Sequence, residues 1–173
     1  MTSTAAGNLV PRALLRDIDD LPMVRIGPGV SLQLLQVDFN HNIRVTRVRF
    51  EPGLALGKHR HTGHVHAWTL SGSWMYTEYP EINVAGSYLF EPAGAAHTLV
   101  VPADNAETTE VLFVVHGSNL ELDADDSIRS VTDARGLCEL YLRTYEELGL
   151  PRPDVIGLPA TPGVHEETAN EGP

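Results

Sequence analysis

Polar and apolar positions alternate through the middle of the chain, and glycine, proline and Asp/Asn interrupt the alternation. In "IRVTRVRFEP", residues 43–52, Ile43, Val45, Val48 and Phe50 stand against Arg44, Arg47 and Arg49. That is the period-two signature of a strand with one buried face. The slip between Val45 and Val48 predicts a bulge or a change of face. "SLQLLQVDF" before this segment, and "HVHAWTLSGSWMYTEY", "GSYLFEP", "HTLVVP", "EVLFVVHG", "NLELD" and "SIRSV" after it, are also short and rich in β-formers. Breaks fall at intervals of about ten residues. "SGS" at 71–73 and "DADD" at 123–126 read as hairpin turns. Short strands with turns and no helices between them predict an all-β antiparallel sandwich or barrel.

The period changes only near the end. Asp133 can cap a helix whose stripe is Leu137, Leu140, Tyr141, Tyr145 and Leu148, stopped by Gly149-Leu150-Pro151. A short helical turn is expected around Ala13 to Ile18. Residues 151–173 hold five prolines, three glycines and three glutamates, the composition of a tail that drapes on a neighbour or stays disordered. The expected division is an N-terminal extension over 1–25, a barrel over 26–132, a helix over 133–150 and a Pro/Gly-rich tail over 151–173.

Composition narrows the function. At 173 residues, with 42 % hydrophobic and 20 % charged residues, the chain suits one ordinary globular domain. A net charge of -11 argues against nucleic acid or an anionic membrane surface as partner. A single cysteine, Cys138, rules out an intramolecular disulfide and a cysteine-rich zinc site. Its apolar-periodic surroundings suit a packed thiol better than a nucleophile. Neither a secretory leader nor an apolar run long enough for a membrane helix is visible, and a reduced cytoplasmic setting is the simplest reading.

The unusual feature is "HRHTGHVHAW", residues 59–68, which holds four of the eight histidines. Residues two apart in a strand share a face, so His59 and His61 can aim both imidazoles at one point. His97 is the best third ligand, because Gly86, Pro92 and Gly94 lay out a strand, its end and a tight turn before it. From His-x-His alone, a surface cluster with incidental metal affinity reads equally well. The second glycine–proline–histidine element tips the balance towards a metal site.

Together these elements resemble the two motifs of the cupin superfamily. Pro52-Gly53, five residues, His59-Arg60-His61 and a later Gly72 follow its first motif; Gly86, Pro92, Gly94 and His97 follow its second, with Val101 in place of the terminal Asn. The resemblance, over roughly residues 30–120, implies a double-stranded β-helix (jelly-roll) barrel with a metal on His59, His61 and His97. The first motif's glutamate ligand is missing. Its slot is Val65 counted back from Gly72, or His66 counted forward from His61, so His66 is a candidate fourth ligand. His64 is read as rim or solvent-facing.

Within the cupins, "HRHTGHVHAWTLSGSWMYTEY", "GSYLFEPAGAAHTL" and "DARGLCELYLRTYEELGLP" resemble the 2,4'-dihydroxyacetophenone dioxygenase family. That likeness implies non-haem iron (Fe2+), with zinc or another divalent first-row metal as alternatives, and O2-dependent cleavage of the C–C bond of an aryl α-hydroxyketone. The residues alone do not choose the metal. Trp68, Trp74, Tyr76, Tyr88 and Phe90 are candidate substrate-binding aromatics, although core packing is the commoner fate of aromatics on barrel strands. Glu78 and Tyr76 are candidates for acid–base work, and Glu78 also for the metal sphere. His116 is read as either a neighbour of the site or a satisfied core group; Arg47, Arg49 and Arg60 as solvated strand faces. The partners expected are a small aromatic ketone and O2, with a second copy of the chain as a homodimer, as cupin barrels commonly pair. Two rivals share the histidines: a cupin dioxygenase acting on a β-diketone, and a non-catalytic zinc-binding sensor cupin.

Overall fold

In a computed structural model of the chain, residues 13–17 and 20–158 are described. Among them are β1 (Val24–Gly27), β2 (Val30–Asp38), β3 (Ile43–Phe50), β4 (His59–His61), β5 (Val65–Ser71), β6 (Ser73–Tyr76), β7 (Ile82–Val84), β8 (Tyr88–Glu91), β9 (Ala96–His97), β10 (Leu99–Val100), β11 (Thr109–His116), β12 (Asn119–Leu122), β13 (Ile128–Thr132) and α1 (Ala134–Glu147). Pairing between these strands is antiparallel throughout. The strands form a six-stranded sheet, β1-β2-β3-β11-β5-β8, a four-stranded sheet, β13-β12-β4-β9, and a three-stranded sheet, β10-β6-β7. Inner faces of all three contribute to one cavity. The expected all-β barrel with a C-terminal helix is what the chain builds. No helix among the described residues is long and apolar enough to cross a membrane.

Local departures from expectation each have a physical cause. β3 carries no bulge. Its even positions, Arg44, Thr46, Val48 and Phe50, are the buried ones, and the register shift lies in its partner β2, between Leu34 and Gln36. A regular strand therefore turns Arg44 inward, contrary to the alternation that set it with Arg47 and Arg49 opposite the apolar positions. Residues 71–73 make a corner, not a hairpin: β5 pairs with β8 and β11, whereas β6 pairs with β7 and β10. Gly72 has φ +67, and a Cβ there would lie 2.6 Å from Thr109 Oγ1, so no other residue fits the corner without a shift. Residues 123–126 do form the expected turn, between the paired strands β12 and β13.

The segment "HTLVVP" splits at Thr98 into β9 and β10, which belong to different sheets. Glu78 pins this switch, accepting from Thr98 N at 2.8 Å and Thr98 Oγ1 at 2.9 Å. Residues 13–17 hold no helical turn; Arg16 instead donates to the Asp154 carbonyl at 2.8 Å, and Ile18 lies outside the described residues. Helix α1 forms as expected, with Asp133 accepting from Gly136 N at 2.7 Å. It buries Ala134, Cys138, Tyr141 and Tyr145, so the lone thiol is packed. The near part of the tail docks on the chain's own sheet: Val37 N donates to the Ile156 carbonyl at 2.8 Å. Residues 159–173 lie outside the described residues.

Candidate metal centre

β4 is the middle of the site. On one side it pairs with β9, setting His59 opposite His97; on the other it pairs with β12, setting His61 opposite Asn119. Odd positions of β4 point inward, so both of its histidines reach the interior while Arg60 between them does not. Pro92 ends β8, and Gly94, with φ +83, lets the chain reverse into β9 while its N–H donates to the His61 carbonyl at 2.8 Å. These constraints bring one nitrogen each of His59, His61 and His97 within 4.8 Å of one another. All three are buried, His97 to 1 % exposure.

The tautomers are partly set. His59 Nδ1 donates to the Gly57 carbonyl at 3.0 Å, which leaves Nε2 to face the cluster. His97 stacks on the Tyr76 ring at 4.0 Å. Burial, then the neighbouring His59 and His97, pushes His61 down to about 3; burial and His59 lower His97 to about 4. Both rings are thus neutral near pH 7, the form that binds metal.

A carboxylate completes the group, and it is one that sequence reasoning missed. Glu91, on β8, is 4 % exposed, and its Oε2 lies 3.4 Å from both His61 Nε2 and His97 Nε2. Tyr76 O–H donates to the other carboxylate oxygen, Oε1. Burial raises the Glu91 pKa to about 7, against the lowering effect of the Tyr76 hydrogen bond; burial, then Glu91, raises the Tyr76 phenol far above its usual range. Glu91 pairs with Val65, the inward-facing one of the two positions at which the first cupin motif would hold its glutamate. An acid thus stands across the strand pair from that position.

Glu91 Oε2 and His97 Nε2, 3.4 Å apart, are buried without a hydrogen-bond partner. Buried polar atoms are rarely left so, and this pair beside His59 and His61 fits an imidazole–carboxylate shell for a divalent first-row ion.

His59, His61 and Glu91 face a cavity of about 620 Å³, with an apolar lining that includes Leu32, Val48, Phe50, Phe113, Leu137 and Leu140. Arg44, also unforeseen as an inward residue, forms part of the wall. It donates to the Gly117 carbonyl at 2.8 Å and to Asn119 Oδ1 at 3.0 Å, and burial lowers its pKa to about 10.

Of the five candidate aromatics, Tyr76 alone lines the cavity. Trp74 is fully buried in the core and donates to Thr69 Oγ1 at 2.9 Å. Trp68, Tyr88 and Phe90 are 39 %, 53 % and 50 % exposed on the outer face, because even positions of β5 and β8 point out of the barrel. His66 shares that outward parity, and its Nδ1 lies 2.8 Å from Tyr88 Oη; it is not beside the inner histidines. Glu78 is exposed and occupied with Thr98. Its place is structural.

Comparison with known proteins agrees with this fold. Residues 11–119 match the family described as the ChrR cupin-like domain. The chain belongs to that cupin family. A cupin-like protein of unknown function from Ralstonia eutropha JMP134 is 32 % identical, with a TM-score of 0.80 over 93 % of this chain and 98 % of that one. The β-alanine degradation protein BauB of Pseudomonas aeruginosa is 36 % identical over 93 residues, 51 % of this chain and 93 % of BauB. An acetylacetone dioxygenase from Acinetobacter johnsonii has the same fold at 14 % identity, with a TM-score of 0.66 over 83 % of this chain and 99 % of that one.

Proposed function

We propose that this cupin is a metal-dependent dioxygenase that cleaves the C–C bond of a small enolisable ketone, with an aryl α-hydroxyketone such as 2,4'-dihydroxyacetophenone as the substrate class. The observation that carries this reading is that His59, His61 and Glu91, whose Oε2 is unpartnered, line an apolar cavity of about 620 Å³, with His97 buried beside them. A purely structural ion has no use for such a space. The balanced reaction converts R–CO–CH2OH and O2 into R–COOH and HCOOH. His59, His61 and His97 would hold the metal, iron(II) in the first instance, which when bound supplies Lewis acidity and the means to engage O2.

The chain's own residues do the rest. Glu91 Oε2 takes a proton from the carbon next to the carbonyl. A carboxyl whose pKa sits at about 7 is matched to that task. Tyr76 O–H holds Oε1 and so fixes which oxygen faces the cluster. Phe50, Phe113 and the leucines exclude water. Arg44 offers a buried cation in the wall for an oxygen substituent of the substrate.

The test is oxygen uptake by the iron-loaded chain over a panel of aryl hydroxyketones and β-diketones, with products identified. Aryl carboxylate and formate in equal amounts support the hydroxyketone; uptake confined to a diketone moves the substrate class. A second reading is a non-catalytic zinc module, and it has its own support: Glu91 Oε2, 3.4 Å from two ligand nitrogens, can serve as a fourth protein donor and close the shell. Full zinc occupancy with no uptake on any ketone would favour it and sink the dioxygenase.

A further inference from the structure

The outer face of the six-stranded sheet holds a second histidine cluster that the barrel's interior does not use. β5 and β11 run antiparallel with Val65 opposite Val115 and His66 opposite Val114. His116 N donates to the His64 carbonyl at 3.0 Å, which sets those two residues side by side just beyond the paired positions. His66 lies two residues further along the same face. The His64 and His116 rings stack with centroids 4.0 Å apart, and His64 and His66 meet edge-on at 5.2 Å.

From this geometry we infer that His64, His66 and His116 form a second, independent metal site, taking zinc or a similar borderline divalent cation through three imidazoles. One nitrogen from each ring already lies within 4.8 Å of the others. Imidazole nitrogens around a tetrahedral zinc are about 3.3 Å apart, given bonds of about 2.0–2.1 Å. Closing that gap takes rotation of the half-exposed rings, with His64 and His116 leaving their stack. Tyr88 Oη, 2.8 Å from His66 Nδ1, orients this ring and leaves Nε2 for the ion, the arrangement that buttresses metal-binding histidines generally.

A purely nitrogen donor set favours zinc, nickel or copper over magnesium or calcium. Phe90, with its ring 5.5 Å from that of His66, and Trp68, at 6.1 Å, wall one side. With three protein ligands the ion keeps at least one position for water or an exogenous donor. The cluster lies outside the barrel, so it is separate from the chemistry proposed for the interior.

The test is equilibrium dialysis of the full chain against low-micromolar free zinc, with metal counted per chain. Wild type is expected to hold two ions, the double variant His64→Ala/His116→Ala one, and His97→Ala one. Loss of one ion on outer substitution supports the site whatever the inner occupancy. Should the double variant fold poorly, His66→Gln, which keeps a polar side chain on the exposed face, should still weaken the outer site at least about ten-fold. Unchanged zinc content in both outer variants overturns the site, as does outer binding that requires millimolar metal.

Discussion

Two histidine triads arise from one ten-residue stretch and its strand partners, and they differ in almost every physical property. His59 and His61 are odd-numbered; His64 and His66 are even. The link from β4 to β5, residues 62–64, preserves the alternation, so odd positions Val65 and Ala67 stay buried. Parity alone sends one pair of imidazoles into the barrel and the other onto its outer face. The inner rings are 1–7 % exposed and share space with an acid, and burial depresses the pKa values of His61 and His97. The outer rings are half-buried, and Tyr88 and two further aromatic side chains flank them. Identical side chains therefore become a candidate reaction centre or a candidate surface site according to solvent access and to what stands beside them.

The largest effect should come from breaking the inner triad. His97→Ala removes one of the three imidazole ligands, so oxygen uptake should fall to background together with inner-site metal. The outer double variant should retain wild-type uptake. Metal content and oxygen electrode traces on both variants check this pairing; equal loss from the two would erase the distinction between the triads.

Glu91→Gln sharpens what the inner site is for. If Glu91 moves a proton, kcat should fall by about 10²–10⁴-fold with metal retained; if it closes a structural shell, zinc affinity should drop instead. The metal-free protein gives a second readout with the opposite sign. Glu91's folded pKa is raised from 4.5 to about 7, so its contribution to stability is fully present below 4.5 and is lost as pH rises through 7. That range corresponds to at most about 3 kcal/mol. Metal-free Glu91→Gln, which cannot ionise, should therefore be more stable than wild type at pH 8 by up to this amount. The advantage should vanish by pH 4.5. Denaturant melts at the two pH values measure it.

Why this acid escaped the sequence is instructive. The cupin motif is written along one strand, and the two candidate slots on β5 hold Val65, which faces inward, and His66, which does not. The replacement sits opposite, on β8, through a pairing register that one-dimensional spacing does not record. The signal available was parity: in "YLFEP", Tyr88 and Phe90 point out, so Glu91 must point in. The same rule would have turned Arg44 inward on β3, where charge was taken as the mark of a solvated face. By contrast, the strands of the barrel, the capped helix and the convergence of His59, His61 and His97 were legible, because each rests on local periodicity or on glycine and proline at fixed offsets. Trp68, Tyr88 and Phe90 misled because aromatic character suggests a pocket, whereas position in the pleat decides the face.

Gly63 lies between the triads and should give an intermediate effect. A Cβ there would stand 2.5 Å from the His116 carbonyl oxygen, a contact with backbone that cannot swing aside. Gly63→Ala should cost about 1–3 kcal/mol in denaturant melts and should displace His116 from His64. Zinc binding at the outer site should weaken more than at the inner one, because β4 is held on both sides by β9 and β12.

The smallest expected effect is the most diagnostic of the outer triad. His66 is partly exposed, and among the described residues it packs in no core cluster and its side chain hydrogen-bonds to the exposed Tyr88. Without metal, His66→Ala should alter stability by no more than about 0.5 kcal/mol, as surface substitutions usually do. With zinc at about a hundred times its dissociation constant, a site present only in the folded state adds about 2.7 kcal/mol. Wild type should gain that increment at both triads and His66→Ala at the inner one alone. A difference that appears only when zinc is added, and vanishes again with chelator, separates an ion held by the outer imidazoles from a packing role for the ring; a difference already present in chelator assigns His66 to packing and leaves the outer face without a metal.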